Sequence, residues 1–156
     1  MSPTVRRLTM KTSTNGAVFV DTSAFVALLV EHDANHKTAI EAWEPLADML
    51  PQVTTWGVVS ETYTWLRVKA KNERIAVRWL DHVDAAQSTG YLEIIFPEPD
   101  TDRLARSILR RFADVRLSYV DAMSLAILQM RSGIETVFSF DEHLFLSGIT
   151  SLVQLR

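Results

Sequence analysis

Apolar residues along the chain fall into two patterns, short continuous runs and longer segments with helical spacing. The runs predict strands at residues 17–20, 91–96 and 136–140, and short strands are also expected at 52–55 and, as a last edge strand, at 151–155. The longer segments predict helices at 24–30, from Asp33 or Asn35 toward Trp43, and then at 56–70, 72–86, 100–112 and 119–131. Strands that alternate with helices predict an α/β fold, with a central, mostly parallel sheet between two layers of helices.

The ends of these elements carry their own signals. Asp21-Thr22-Ser23 supplies capping residues before the first helix, and Ser118 caps the helix that Gly133 ends. Pro97 and Pro99 close the strand before them, so the next helix is expected to begin at residue 100 or 101.

Length and composition indicate one globular domain. The chain has 156 residues, 47% hydrophobic and 22% charged, which suffices for a single core. Residues 1–16 are polar and are expected to form a flexible N-terminal tail, with 17–156 as the domain and Met10 as an alternative start. The absence of cysteine excludes thiol chemistry and cysteine zinc sites. Apolar runs too short to span a bilayer predict a soluble protein without a membrane partner, and the absence of cysteine fits a reducing compartment, here expected to be the cytoplasm.

Four acidic residues stand alone inside apolar stretches: Asp21, Glu61, Asp121 and Asp141. An isolated buried carboxylate costs several kcal/mol unless a cation or hydrogen-bond donors meet it. If the fold brings the four together, a hard divalent cation is the simplest remedy for their mutual repulsion. The sequence therefore predicts a metal-dependent active site.

The predicted elements indicate where these carboxylates point. Asp21 and Asp141 follow strands, and functional groups of parallel sheets gather beyond the carboxyl ends of strands. Asp121 shares an apolar helical stripe with leucines, and Glu61 has Val58 and Trp65 as helical neighbours, so both are expected to point inward. The alternatives are that Asp21 and Asp141 are only helix caps, and that Glu61 borders an amphipathic helix with its tip in solvent.

Basic residues are concentrated in one part of a chain whose net charge is −3. Ten of the sixteen lie between Arg67 and Arg116, with helical spacing in two stripes. Such stripes are often only solvated helix surface. Beside an acidic centre they favour a site for phosphodiesters, and we expect them to guide a nucleic-acid backbone. The stripes are Arg67, Lys71, Arg74 and Arg78, and Arg103, Arg106 and Arg110.

At this point the residues resemble a known family. The chain is similar to PIN-domain ribonucleases, and among them to the VapC-type toxins of bacterial and archaeal toxin–antitoxin modules. The resemblance spans most of residues 17–145 and rests on four ordered blocks: Val20-Asp21-Thr22-Ser23-Ala24, Ser60-Glu61, Leu117-Ser118-Tyr119-Val120-Asp121-Ala122 and Ser139-Phe140-Asp141-Glu142-His143.

The resemblance implies a PIN-like three-layer fold and an endoribonuclease of a type II toxin–antitoxin system. It implies that Asp21, Glu61, Asp121 and Asp141 bind Mg²⁺ or Mn²⁺, assisted by the hydroxyl of Thr22 or Ser23. Hydrolysis would leave a 5′-phosphate and a 3′-hydroxyl, and the preference for RNA comes from the resemblance alone. A small antitoxin and a homodimer are the expected partners.

Three other functions agree less well with the sequence. Residues 32–36 have the two-histidine spacing of a zinc metalloprotease, but with Asp where the general base should be Glu. An aspartate-nucleophile phosphotransferase would place a second acid where Ser23 stands. A PIN-like module that binds RNA or protein without cutting is the main alternative. The tryptophans, Trp43, Trp56, Trp65 and Trp79, are assigned to the core or an interface.

Overall fold

A five-stranded parallel sheet forms the centre of the protein. The computed structural model describes residues 4–5, 16–47 and 51–154. The central strands are β2 (Ala17–Val20), β3 (Gln52–Thr55), β4 (Leu92–Ile95), β5 (Ile134–Phe138) and β6 (Thr150–Ser151). They lie in the order β4-β3-β2-β5-β6, and every neighbouring pair is parallel. Two short strands, β1 (Thr4–Val5) and β7 (Val153–Gln154), pair antiparallel in a separate sheet.

Helices cover both faces of the central sheet. They are α1 (Thr22–Leu29), α2 (His36–Trp43), α3 (Trp56–Thr64), α4 (Glu73–Ser88), α5 (Pro99–Arg111) and α6 (Tyr119–Met130). A π-helical stretch, Trp65–Lys69, continues α3, and a 3₁₀ helix spans Glu142–Ser147. This architecture confirms the predicted three-layer α/β/α fold. No helix of the described ranges is long and apolar enough to cross a membrane.

The core is built from the middle strands and the helices packed on them. Val18 and Phe19 of β2 are fully buried. The indole of Trp79 is also fully buried and lies 4.6 Å from the ring of Phe25 between centroids. Trp43 stacks on Phe138 at 5.4 Å. Such aromatic pairs contribute about 0.5–1.5 kcal/mol beyond the area they bury, so they fix the helices on the sheet.

Several predicted boundaries shift in the structure. Helix α5 begins at Pro99 rather than at residue 100 or 101, because proline suits a first helical turn, where an N–H has no partner. Helix α1 already begins at Thr22, and β5 ends at Phe138 rather than at 140. The predicted edge strand at 151–155 is divided between β6 and β7. Met10, residue 155 and most of the predicted tail lie outside the described residues, whereas Thr4–Val5 forms β1.

The order of the strands creates a crevice above the middle of the sheet. The chain leaves β2 toward β3 and β4, and later returns to the other side of β2 to form β5 and β6. The connections that follow β2 and β5 therefore diverge. At such a switch point the carboxyl ends of neighbouring parallel strands leave room for a ligand. Asp21 directly follows β2, and Ser139 directly follows β5.

Candidate active site

Asp21 is the most deeply buried of the four predicted carboxylates, with 3% of its surface exposed. Its Oδ2 accepts hydrogen bonds from Ser23 Oγ at 3.1 Å and from Ser139 Oγ at 3.0 Å. Although Asp21 occupies the N-cap position of α1, its side chain makes no capping hydrogen bond. The alternative that Asp21 serves only as a helix cap therefore fails.

Burial raises the pKa of Asp21 from 3.8 to about 6. The hydroxyls of Ser139 and Ser23 and the backbone N–H of Thr22 lower this pKa again, while the charge of Asp121 raises it. At neutral pH the carboxylate is thus ionised against a desolvation cost. A cation beside Asp21 would offset that cost.

Asp121 lies in the first turn of α6 and is 8% exposed, so its side chain is inward as the apolar stripe indicates. It forms a capping box with Ser118: Asp121 N donates to Ser118 Oγ at 3.0 Å, and Ser118 N donates to Asp121 Oδ2 at 2.8 Å. Burial raises the pKa of Asp121, and the charge of Asp141 raises it further, while the hydrogen bonds from Ser118 and the nearby His143 oppose the change. The cap holds this carboxylate in one orientation.

Asp141 and His143 stand beside Asp121. His143 Nδ1 lies 3.1 Å from Asp141 Oδ1 and 3.7 Å from Asp121 Oδ2. One potential ligand atom from each of the three residues falls within 4.8 Å of the others. Asp141 also caps the 3₁₀ helix, because Asp141 Oδ1 accepts from His143 N at 2.9 Å. Capping and membership of the cluster are therefore compatible roles for Asp141.

Glu61 is linked to the first strand end through a hydroxyl. Thr22 Oγ1 donates to Glu61 Oε2 at 2.7 Å, across 39 residues of sequence. The side chain of Glu61 is partly exposed, but its carboxylate is held by this bond rather than free in solvent. The structure therefore does not support the alternative that Glu61 borders an amphipathic helix with its tip in solvent.

The structure brings the four carboxylates together to different degrees. Asp121 and Asp141 share the group with His143, and neither Asp21 nor Glu61 belongs to it. Ser139 connects Asp21 to this group, since its Oγ donates to Asp21 and accepts from Asp141 N at 2.9 Å. Glu61 reaches the cluster through Thr22, the residue after Asp21. The two hydroxyls predicted from the sequence, Thr22 and Ser23, each contact an acid.

Two contributors were missed by the sequence reasoning. Ser139 and His143 lie in the same block as Asp141, but neither was given a role. Ser139 is fully buried at the end of β5 and bonds to Asp21. A serine two residues before a strand-end acid, and a histidine two residues after it, were the available signals. Their significance depends on long-range contacts that the local sequence does not show.

The basic stripes stand apart from the carboxylates. Within the described part of the chain, no ion pair joins a stripe residue to any of the four acids. Three stripe arginines are instead paired with exposed acids near them in sequence: Arg67 with Glu73, Arg103 with Asp100 and Arg106 with Asp102. Exposed ion pairs of this kind are weak, so a phosphate could replace the acidic partner of each arginine.

The zinc-protease alternative does not survive the structure. Residues 31–35 form turns, and His36 begins α2, so the two histidines do not share a helical face. His36 Nδ1 lies 2.7 Å from the carbonyl oxygen of Ala27, which accounts for its ring.

The donor set fits a hard divalent cation. Carboxylate oxygens are the ligands that Mg²⁺ and Mn²⁺ prefer, and the pKa of two of these carboxyls is raised by burial. His143 Nδ1 is buried and lies 3.1 Å from Asp141 Oδ1 and 3.7 Å from Asp121 Oδ2, without the geometry of a hydrogen bond. A nitrogen atom this close to two carboxylates is consistent with an ion that all three residues bind.

The protein has a parallel sheet between two layers of helices, with carboxylates at the switch point of the sheet. These features define its class, an α/β protein with an acidic site at the carboxyl ends of the strands. The model of the PIN domain family matches residues 18–146. This chain belongs to the PIN domain family.

Individual relatives agree with this assignment. A 23S rRNA-specific endonuclease, VapC20 of Mycobacterium tuberculosis, is 30% identical over 136 residues, which cover 86% of this chain and 97% of the relative. The crystal structure of VapC20, described as a toxin that cleaves the sarcin-ricin loop, superposes with a TM-score of 0.73 at 28% identity and the same coverage. DNA-bound VapBC from Salmonella typhimurium shares the fold, with a TM-score of 0.56, 16% identity, and coverage of 87% and 96%.

Proposed function

We propose that this protein is a divalent-metal-dependent endoribonuclease and the toxin of a type II toxin–antitoxin system. The observation that carries the proposal is the carboxylate cluster at the switch point of the sheet. It consists of Asp121, Asp141 and His143, and Ser139 links it to the buried Asp21. Membership of the PIN domain family and the similarity to a 23S rRNA-specific endonuclease support the reaction class.

Four carboxylates would hold Mg²⁺ or Mn²⁺: Asp21, Glu61, Asp121 and Asp141. Such a cation, when bound, supplies Lewis-acid stabilisation to a phosphate oxygen and promotes the ionisation of a water. The protein's part is to orient the ligands beforehand. Each carboxylate accepts at least one hydrogen bond that fixes it: from Ser23 and Ser139, from Thr22, from Ser118, and from the backbone of His143.

His143 is proposed as a further member of the centre. Its imidazole lies beside two of the carboxylates, and its Nδ1 has no hydrogen bond within the ranges that the structure describes. The basic side chains of the two predicted stripes would bind the phosphate backbone, although Arg67 lies in the π-helical stretch and Lys71 precedes α4, so the first stripe does not follow one helix. The group comprises Arg67, Lys71, Arg74, Arg78, Arg103, Arg106 and Arg110.

The substrate proposed first is ribosomal RNA containing the sarcin-ricin loop. This proposal follows from the similarity to VapC20, whose crystal structure is described by that activity. A small antitoxin protein and a second copy of the chain are the proposed partners, and the cytoplasm is the proposed location.

The test is cleavage of a panel of structured RNAs that includes a sarcin-ricin hairpin. The purified protein is assayed in Mg²⁺, in Mn²⁺ and in EDTA, beside Asp21→Asn and Asp121→Asn. Asp84→Asn, which changes an exposed acid of α4, is the matched control. We expect metal-dependent cutting that both site variants lose and the control keeps. A folded wild-type protein that binds RNA but never cuts it would favour the non-catalytic module.

A further inference from the structure

Trp56 lies at the surface beside the carboxylate cluster rather than in the core. Its side chain is 52% exposed, whereas Trp79 is fully buried and Trp43 and Trp65 are partly buried. The tryptophans were assigned to the core or an interface; Trp56 does not lie in the core, and its place in an interface stays a prediction. Trp56 borders two hollows at the surface, and contiguous exposed apolar surface of this kind marks binding sites.

A hollow of about 360 Å³ opens beside the indole, and we call it the Trp56 groove. Its wall includes Trp56, Gly57, Glu61, Lys69 and Val120. Glu61 is one of the four proposed metal ligands, and Val120 directly precedes another, Asp121. The groove therefore adjoins the cluster itself.

We propose that the Trp56 groove is a subsite for an unpaired RNA base next to the scissile phosphate, stacked on the indole of Trp56. This inference rests on the proposed ribonuclease function. A phosphate at the carboxylate cluster brings the adjoining nucleotide to the mouth of the groove. Aromatic faces bind bases by stacking, which tolerates any base sequence. Lys69, at the groove wall, supplies a cation for the phosphate of that nucleotide.

One observation favours a nucleotide over a second copy of this chain in the groove, and another assigns the base to this hollow rather than to its neighbour. A second copy of the chain seated there would cover Glu61 and thereby close the cluster to its substrate. A neighbouring hollow of about 440 Å³ also touches Trp56, but it is lined by Glu98 and Asp102. These acids disfavour phosphate, so the base is assigned to the hollow that holds Lys69.

The test compares RNA binding by Trp56→Ala, Trp56→Phe and Tyr91→Ala. Tyr91 is 45% exposed and lines neither hollow, so its variant controls for loss of a surface aromatic ring. The probe is a fluorescent single-stranded RNA with a non-hydrolysable linkage at the cleaved bond, in Mg²⁺, followed by anisotropy. We expect Trp56→Ala to weaken the Kd roughly 5- to 100-fold, Trp56→Phe to retain most of the affinity and Tyr91→Ala to match the wild type.

An abasic RNA separates stacking from other effects. Removal of the base beside the cleaved bond should weaken binding by wild type but hardly by Trp56→Ala, because the two changes delete one contact. Equal losses in both proteins would overturn the subsite. So would sedimentation showing that Trp56→Ala merely splits a homodimer, since the groove would then be a protein interface.

The outcome for the subsite can be read separately from the outcome for the function. If the wild type cuts RNA and Trp56→Ala has the same KM, the subsite is wrong and the ribonuclease stands. If base-dependent binding through Trp56 is seen without any metal-dependent cutting, the subsite stands on its own and the ribonuclease function fails. Absence of both RNA binding and cutting by the wild type would remove both.

Discussion

Asp21 keeps its charge at neutral pH in a place where burial opposes charge. Only 3% of its surface is exposed, and the donors that reach Oδ2 are two neutral hydroxyls. Hydroxyls partly replace water, but they do not cancel a full charge. In the metal-free protein the ionised Asp21 therefore lowers the stability of the fold at the centre of the proposed active site. Such a cost is expected of a residue that is retained for function.

This instability gives Asp21→Asn a definite effect on stability. The pKa of Asp21 is about 6 in the folded protein against 3.8 ordinarily, so the folded state binds the proton more tightly. The stability that the protonated Asp21 contributes is fully present below about pH 4 and is lost as the pH rises through about 6. In EDTA at about pH 7.5 we expect Asp21→Asn to raise the free energy of unfolding by ~1–3 kcal/mol, measured by urea denaturation.

The pH profile distinguishes this cause from a general effect of removing an acid. The gain should shrink as the pH falls below about 6 and vanish below about pH 3, where the wild-type carboxyl is protonated in both states. Asp84→Asn, at an exposed site on α4, should show no comparable gain. A gain that stays constant from acid to neutral pH would contradict the assignment to Asp21 ionisation.

Thr22 has a different role, because it binds Glu61, the one proposed ligand that α3 contributes. Its hydroxyl donates to Glu61 at 2.7 Å. A hydrogen bond to a charged group contributes about 1.5–3 kcal/mol. We expect Thr22→Val to lower kcat for RNA cleavage roughly tenfold or more, because Glu61 loses its fixed orientation.

Thr22→Ser serves as the rescue variant, since it restores the hydroxyl with a smaller side chain. It should recover most of the activity that Thr22→Val loses, while unfolding curves report any effect on the core. Equal activity in Thr22→Val and wild type would show that the bond to Glu61 is only structural.

At the scale of elements, helix α6 both packs on α5 and presents a carboxylate. Ala105 of α5 and Ala122 and Ala126 of α6 are fully buried small residues, which let the two helices approach closely. The N-terminus of α6 carries Asp121 at its third position, within the capping box of Ser118. The cap thereby couples the start of this helix to the geometry of the proposed site.

Ser118→Ala tests this coupling. Loss of an N-cap hydroxyl costs about 1 kcal/mol, and here it removes the acceptor of the backbone N–H of Asp121. We expect a similar loss of stability from Asn72→Ala, which removes the cap of α4 at Ile75 N. Mn²⁺ affinity, measured by calorimetry, should fall in Ser118→Ala and stay unchanged in Asn72→Ala. A fall in both variants would attribute the effect to stability alone.

The whole fold shows why some features were predictable from sequence and others were not. Apolar runs identified β2, β4 and β5, since each is a buried or half-buried strand. The Ser118 cap was readable because capping is local. The pairing of β1 with β7 was not, because two-residue strands leave no periodic signal and depend on distant contacts.

The same distinction applies to the site. Lone acids in apolar surroundings could be recognised from sequence, because their burial cost does not depend on topology. The links that Ser139 and Thr22 make could not, since they join residues 118 and 39 positions apart. The sequence left open whether Trp56 lies in the core or at an interface, because helical spacing with apolar neighbours does not reveal whether a further element covers that side of the helix.

Folding, proton binding and metal binding should be coupled across the whole molecule. Two of the proposed ligands, Asp21 and Asp121, have a raised pKa, so acid keeps them protonated where a cation would need carboxylates. We expect Mn²⁺ affinity to fall roughly tenfold per pH unit below about 6, and little between about 7 and 8. Calorimetry in buffers of different ionisation enthalpy should detect proton release on binding near pH 6 and almost none near pH 8.

The proton count identifies which carboxyl responds. In Asp21→Asn the release near pH 6 should decrease, because that residue no longer has a proton to lose. Asp84→Asn should behave as the wild type in both buffers. If wild-type Mn²⁺ binding were equally tight at pH 5 and pH 8 with no proton release, Asp21 would not be a ligand. The raised pKa of Asp21 would then reflect only the burial of an acid at the end of a strand.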